Sequence, residues 1–524
     1  MGKTSIHILT NFKIGLRWFL IIGILIELSI FPSLANVYGC IMAVISFSVF
    51  SYFLQEKYIR FFPFAFLMYL SMFMYRYLPL IGTLTECKPI SYGFERPFET
   101  FLYEIILFLI SSLAFYLACQ NSSKKLKNNF IQETLFKLRF FEITPTIIWG
   151  LGIIGLMIRI YNFSAGGVEY GDVTGKFLAG LDYLMYAPLC LFYPSLLHIK
   201  YTHLKSVLLY TGIIFIINIA SNSRESIISP IAIMAILTFL YIVLNDIKIY
   251  NYLSPFKTIC LGVTLWFIIG LLSNVSLAML HTRKVRAKVD KLELFEQTVN
   301  TLQNESLMNR IKSVKFKKKD KNSTKYNEGW TEDYLDNFMM ARYANLRITD
   351  ETLYYAEKKG YSNPLMRELF KTNLLSLFPT PLLRFLNIHI DKSKMEFSRG
   401  DFLYGSGFGG YRITSHIGDG LATFGFWYFP IQFIVFFIIF KLLNSFVFFG
   451  EKGLQYAPFA LMNVFIFLGM FRNANGITRD FSYIIRGYLE GIFTYLVIFH
   501  IVRLAINLIS ANSSNKRELG YKKN

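Results

Sequence analysis

The chain has 524 residues, of which 54% are hydrophobic and only 17% charged, and its mean hydropathy is +0.41. A soluble domain carries roughly 25% charged residues, so this composition excludes a secreted or cytosolic enzyme; the long apolar runs exclude a β-barrel, whose spans alternate in short segments. The net charge is +20, yet no compact basic domain accompanies it, so nucleic acid is not an expected partner and the positive-inside rule accounts for much of the excess.

At about 20 apolar residues per transmembrane helix, the runs predict an all-α polytopic membrane protein of about 12 spans. These lie near 13–31, 36–54, 60–82, 100–119, 144–161, 177–198, 205–221, 227–245, 256–280, 419–443, 455–471 and 482–508. The first run follows Lys13 and Arg17 as a signal peptide would, but it has the length of a full span and reads as an uncleaved helix. Basic connections at 55–60, 124–139, 198–205, 248–257 and 441–452 share one side with both termini, and that side is expected to be the cytoplasm.

The chain thus divides into spans one to nine (1–280), a large extracytoplasmic loop (281–418), spans ten to twelve (419–508) and a basic cytoplasmic tail (509–524). Within the loop, 290–311 and 330–358 repeat apolar positions at helical spacing and predict two amphipathic helices. The stretch 374–386, LLSLFPTPLLRFL, is too short to span and is broken by Pro379 and Pro381, which predicts an interfacial element on the outer leaflet.

Charge placed at the ends of spans is costly and marks candidate sites. Arg224 and Glu225 open span eight in the run SNSRES; a solvated turn with a local ion pair explains them, and so does a guanidinium that grips a phosphate. The Gly-rich run from Tyr404 to Gly420 ends in Arg412, His416 and Asp419: a cation, an imidazole and a carboxylate. It follows no βαβ strand, so it is not a dinucleotide site. Arg472 and Arg479 share one short outer loop, RNANGITRD, and Arg342 and Arg347 punctuate the loop helix. Five cysteines without a CxxC motif, and carboxylates that helix-dipole preference explains, predict no disulfide framework, no metal and no cofactor. Several arginines on one membrane face suit a leaving group that develops negative charge, and transfer to a hydroxyl needs a base nearby.

At these residues the chain resembles the Wzy-type polymerases of O-antigen and capsule repeat units, relatives of the O-antigen ligases. The resemblance rests on Ser223-Arg224 opening a span, on one dominant late extracytoplasmic loop, and on the Gly-rich stretch ending in His416 with Gly425 beginning the next apolar run. It implies a metal-independent glycosyltransferase of the bacterial cytoplasmic (inner) membrane. The growing glycan would pass from undecaprenyl diphosphate to a new lipid-linked repeat unit at the outer face. It also implies a chain-length regulator protein as partner besides the bilayer. Carried to this chain, Arg224 with Arg479 or Arg472 would bind the donor diphosphate, Arg342 would contact diphosphate or glycan, and His416 or Asp419 would activate the acceptor hydroxyl. The catalytic candidates are therefore His416, Asp419 and Arg224; the substrate-binding candidates are Arg224, Arg342, Arg412, Arg472 and Arg479. An O-antigen ligase is the nearest alternative, and a lipid-linked oligosaccharide flippase is an alternative from another class.

Overall fold

Hydrocarbon offers no partner to a bare peptide group, so a twenty-residue apolar run satisfies its backbone by coiling. In the computed structural model seven helices among the described residues are long and apolar enough to cross a membrane: Leu34–Phe53, Pro63–Leu84, Pro97–Ala118, Pro145–Asn162, Glu225–Leu244, His416–Asn444 and Thr478–Ser510. The architecture is that of a helical, multi-spanning membrane protein. The structure describes residues 3–120, 128–164, 180–220, 224–245, 291–310, 325–328, 337–378, 380–390, 398–405, 412–451 and 453–521, with 177–178, 247, 334–335 and scattered positions at 260–282.

Of the other five predicted runs, the first is the helix Lys3–Ile30 and the seventh is the shorter helix Leu204–Ala220. The sixth forms a tighter three-residue-per-turn helix, Asp182–Phe192, with Pro188 inside it. The eleventh breaks at Asn463 into Pro458–Met462 and Val464–Leu468. The ninth, 256–280, falls largely outside the described residues. The one departure from helix among the described residues is small: the predicted basic loop at 441–452 overlaps an antiparallel hairpin, Val447–Gly450 with Gly453–Tyr456, in which Val447 faces Tyr456 and Gly453 follows the turn at φ +97°.

Helix Pro63–Leu84 is the central span, packed by Leu34–Phe53, Pro97–Ala118, Tyr428–Asn444 and Val464–Leu468. Aromatic rings fill these seams. Tyr69 stacks on Phe108 and Phe115 with centroids 5.6 and 4.6 Å away, and its hydroxyl lies 2.9 Å from Ser112 Oγ. Close approach is used once more at Gly155, where a Cβ would run into the main chain of Leu184 and Met185.

The described parts of the large loop are docked on this bundle. The predicted helix at 290–311 is realised as Lys291–Gln303, with helical residues 305–310 after Asn304. The predicted helix at 330–358 is instead two, Phe338–Tyr343 and Arg347–Lys359; Asn345 intervenes, its Oδ1 accepting the Ile348 N–H at 3.2 Å, side-chain capping that restarts the helix in a new direction. Residues 330–333 and 336 of that prediction lie outside the described residues. Buried Asp350 is the main tie to the bundle: its carboxylate accepts the N–H groups of Glu95 (2.8 Å) and Arg96 (3.0 Å) and the Thr100 hydroxyl (2.9 Å). The run at 374–386 forms the helix Thr380–Phe385 after Pro364–Leu375, and leaves Phe385 83% exposed.

One hinge positions the candidate site. His416–Phe424 ends at Gly425, at φ +58°, and Tyr428–Asn444 follows. In a straight helix His416 and Tyr428 would stand about 18 Å apart; here His416 Nδ1 and the Tyr428 hydroxyl are 2.7 Å apart. The first segment therefore doubles back along the second.

Candidate functional site

The hinge carries the start of His416–Phe424 down beside the loop 472–480, and a buried polar network joins them. The Asp480 carboxylate accepts, so His416 Nε2–H donates to Asp480 Oδ2 at 2.9 Å, and Nδ1 shares a hydrogen bond with the Tyr428 hydroxyl at 2.7 Å. Gln432 Nε2 donates to the same Asp480 oxygen at 2.6 Å, and the His416 main-chain N–H donates to the Asn473 carbonyl at 2.8 Å. Asp419 holds the middle of the loop: its Oδ1 accepts Nε and Nη2 of Arg399 at 2.8 and 2.6 Å, and its Oδ2 accepts the Ile477 N–H at 2.9 Å. Gly476 is needed here, because a Cβ would meet the Asp419 carboxylate.

The network continues into two spans. Arg76 and Glu104, both fully buried, form an ion pair at 2.7 Å, and Glu104 also accepts from Thr349 at 2.8 Å and Asn473 at 3.0 Å. At 1.5 Å per residue Arg76 stands about 20 Å from the start of its span and Glu104 about 21 Å from the end of its own, so one depth in the bundle holds the whole network. Sequence reasoning passed over both residues. The signal was there: one isolated charge inside each of two consecutive apolar runs, which is costly unless the two meet.

Beside this network three arginines converge. The Tyr75 hydroxyl donates to the Arg342 carbonyl at 3.2 Å, and its ring packs against Tyr343 and Phe471 at 6.3 and 5.9 Å. Tyr75 lies within the electrostatic reach of Arg342, Arg472 and Arg479 together. Burial pushes the Tyr343 phenol above its ordinary range, against the pull of Arg472 and Arg342. Arg342 and Arg479 are exposed, whereas Arg472 is mostly covered and bonds Glu225 Oε1 at 3.1 Å. The carboxylate of Glu225 thus pairs across the bundle with Arg472. No family model matches the chain, and no curated protein or solved structure matches it.

Arg342, Arg472 and Arg479 are therefore brought together from the large loop and the last inter-helix loop. Arg224 begins the helix Arg224–Leu244, next to Glu225, but its side chain lies outside the described residues. Arg412 sits in another part of the loop, its N–H on Asp401 Oδ1 at 3.2 Å and its carbonyl accepting from Ser398. Arg347 is 2% exposed and lies over the Tyr326 ring, against Gly93. The expectation that His416 or Asp419 activates a hydroxyl meets a plain obstacle. His416 is 2% exposed and Asp419 0%, and every ring nitrogen and carboxylate oxygen is already bonded within the protein. Their physical work in this arrangement is to hold the arginine loop.

An arginine cluster held this way suits a polyanion. Guanidinium groups bind phosphate oxygens through paired N–H donors, and their fixed placement beside a low-dielectric bundle favours negative charge that develops during bond cleavage.

Proposed function

We propose that the protein is a membrane glycosyltransferase of the polysaccharide-polymerase kind. It moves a growing glycan from undecaprenyl diphosphate to a new lipid-linked repeat unit at the outer face of a bacterial cytoplasmic membrane. The observation that carries this reading is the convergence of Arg342, Arg472 and Arg479 on Tyr75, with Arg342 and Arg472 also acting on Tyr343. Arg342, Arg472 and Arg479 neutralise the diphosphate, Arg224 adds to them from the start of its helix, and the docked loop receives the glycan. The reading takes all twelve apolar segments as membrane-embedded, with both termini in the cytoplasm.

A flippase reading requires charge within the spans, and Arg76, Glu104 and Arg159 supply it. These groups are engaged with one another and with Asp182 (Arg159 Nη1 to Asp182 Oδ2, 2.9 Å), which leaves the exposed charge at the arginine cluster. This distribution favours surface chemistry over carriage through the bundle. The test is the polymer ladder made by Arg342→Ala, Arg472→Ala and Arg479→Ala strains at matched protein level. Loss of polymer with single-repeat transfer retained supports the polymerase. Wild-type ladders in all three, or lipid-linked units stranded on the cytoplasmic face of a null strain, overturn it.

A further inference from the structure

Transfer to a hydroxyl requires a proton acceptor, and the carboxylates around the arginines divide sharply. Asp480, Asp419 and Glu104 are buried and committed to His416, Arg399 and Arg76. Asp182 is taken by Arg159 and Asn162. Glu225 is the exception: its side chain is 58% exposed, Arg472 Nη2 bonds only Oε1, and no partner of Oε2 is seen among the described residues. It belongs to the same cluster, since Tyr343 and Arg479 both feel its charge.

Its position is also fixed. Glu225 lies in the first turn of Arg224–Leu244, where its carbonyl accepts the Ser229 hydroxyl at 2.6 Å. The neighbouring Ser226 Oγ accepts Arg159 Nη2 at 2.7 Å. The Arg472 ion pair then orients one carboxylate oxygen and leaves the other, on a side chain that is 58% exposed, without a partner among the described residues, as a positioned base requires.

We propose that Glu225 is the catalytic base that takes the proton of the acceptor hydroxyl. This rests on the glycosyl-transfer reading above and deepens it. The hydroxyl oxygen attacks the anomeric carbon of the diphosphate-linked sugar and forms the new C–O bond. The bond from that carbon to the phosphoryl oxygen breaks, its electron pair leaving with the diphosphate, and the hydroxyl proton passes to Glu225. The charge that grows on the diphosphate meets Arg342, Arg472 and Arg479. A single displacement of this kind inverts the anomeric carbon.

The experiment uses the full chain in liposomes with undecaprenyl-diphosphate-linked oligosaccharide as donor and acceptor. Glu225→Gln is expected to lower kcat by about 100-fold or more, with KM changed by less than about threefold and the acid limb of the pH profile lost. Glu225→Asp retains part of the rate, and sodium formate restores transfer to Glu225→Ala. A role confined to holding Arg472 would raise KM, leave kcat unchanged and give no rescue by formate, and that result overturns the assignment. Transfer by wild type matched by Glu225→Gln overturns the base alone; a wild-type protein that transfers nothing overturns the glycosyl-transfer reading with it.

Discussion

The imidazole of His416 and the carboxylate of Asp480 meet at 2.9 Å, and they do so between residues 64 positions apart. That contact ties the doubled-back helix His416–Phe424 to the start of the last span, with Arg479 next to it in the chain. His416→Ala strands a buried carboxylate with Gln432 alone. The expected cost is about 2–3 kcal/mol of stability in detergent, from an unsatisfied buried charged acceptor. Paired with Asp480→Ala in a double-mutant cycle, the two changes are expected to couple by about 1 kcal/mol or more. Additive effects would mean that the contact contributes nothing.

Gly476 offers a sharper test of the loop. A Cβ there would collide with the Asp419 carboxylate and come 2.9 Å from Thr414 Oγ1, whereas one at Gly212 meets nothing within 4 Å. Gly476→Ala is expected to cost about 1–3 kcal/mol by overpacking and to weaken transfer through displaced arginines. Gly212→Ala, in the interior of a helix, is expected to be neutral or mildly stabilising. Thermal unfolding of the two variants side by side checks the contrast.

Asp350 should make docking of the loop depend on pH. Burial raises its pKa to about 6, against the opposing hydrogen bonds of Glu95, Arg96 and Thr100. A carboxyl raised in the folded state contributes stability that is fully present below its unfolded value, near 3.8, and lost as pH rises through about 6. Wild type is expected to lose on the order of 2–3 kcal/mol across that window relative to Asp350→Asn. The asparagine variant is weaker in acid, because its amide replaces one acceptor with a donor, and its profile is flatter. Limited proteolysis of the loop from pH 4 to 7 measures both effects; a rise in wild-type protection with pH would contradict them.

Sidedness can be read at Cys87. It is exposed in the connection between Pro63–Leu84 and Pro97–Ala118, whereas Cys40, Cys119 and Cys190 are buried. With Cys260 replaced by serine, a membrane-impermeant maleimide is expected to label Cys87 in intact spheroplasts. Labelling only after lysis would invert the orientation drawn from the basic loops.

Local pattern carried the span count further than the site. The boundaries of Leu34–Phe53 and Pro63–Leu84 follow the apolar runs within about three residues, because hydropathy and helix length are properties of a contiguous segment. The break at Asn463 and the hinge at Gly425 were less legible: non-helical backbone at depth is tolerated only where neighbours bury it, and neighbours are not written in the run itself. The arginines were picked out from their unusual sidedness. Their association was not, since Arg342 and Arg472 are separated by over half of the large loop and two apolar runs.

By itself, then, the sequence determined that this chain is built of membrane-length helices and that a minority of its positive charge lies away from the basic loops, because transfer to hydrocarbon is decided residue by residue along a segment. Only the tertiary structure decided which charges are spent and which remain. Arg76 is cancelled by Glu104, Asp419 by Arg399 and Asp480 is bound by His416, while Glu225 keeps one oxygen beyond its pair with Arg472, and Arg342 and Arg479 stay exposed. The reason is that a buried charge must find its partner in space, and the spacing between partners along the chain does not reveal the encounter.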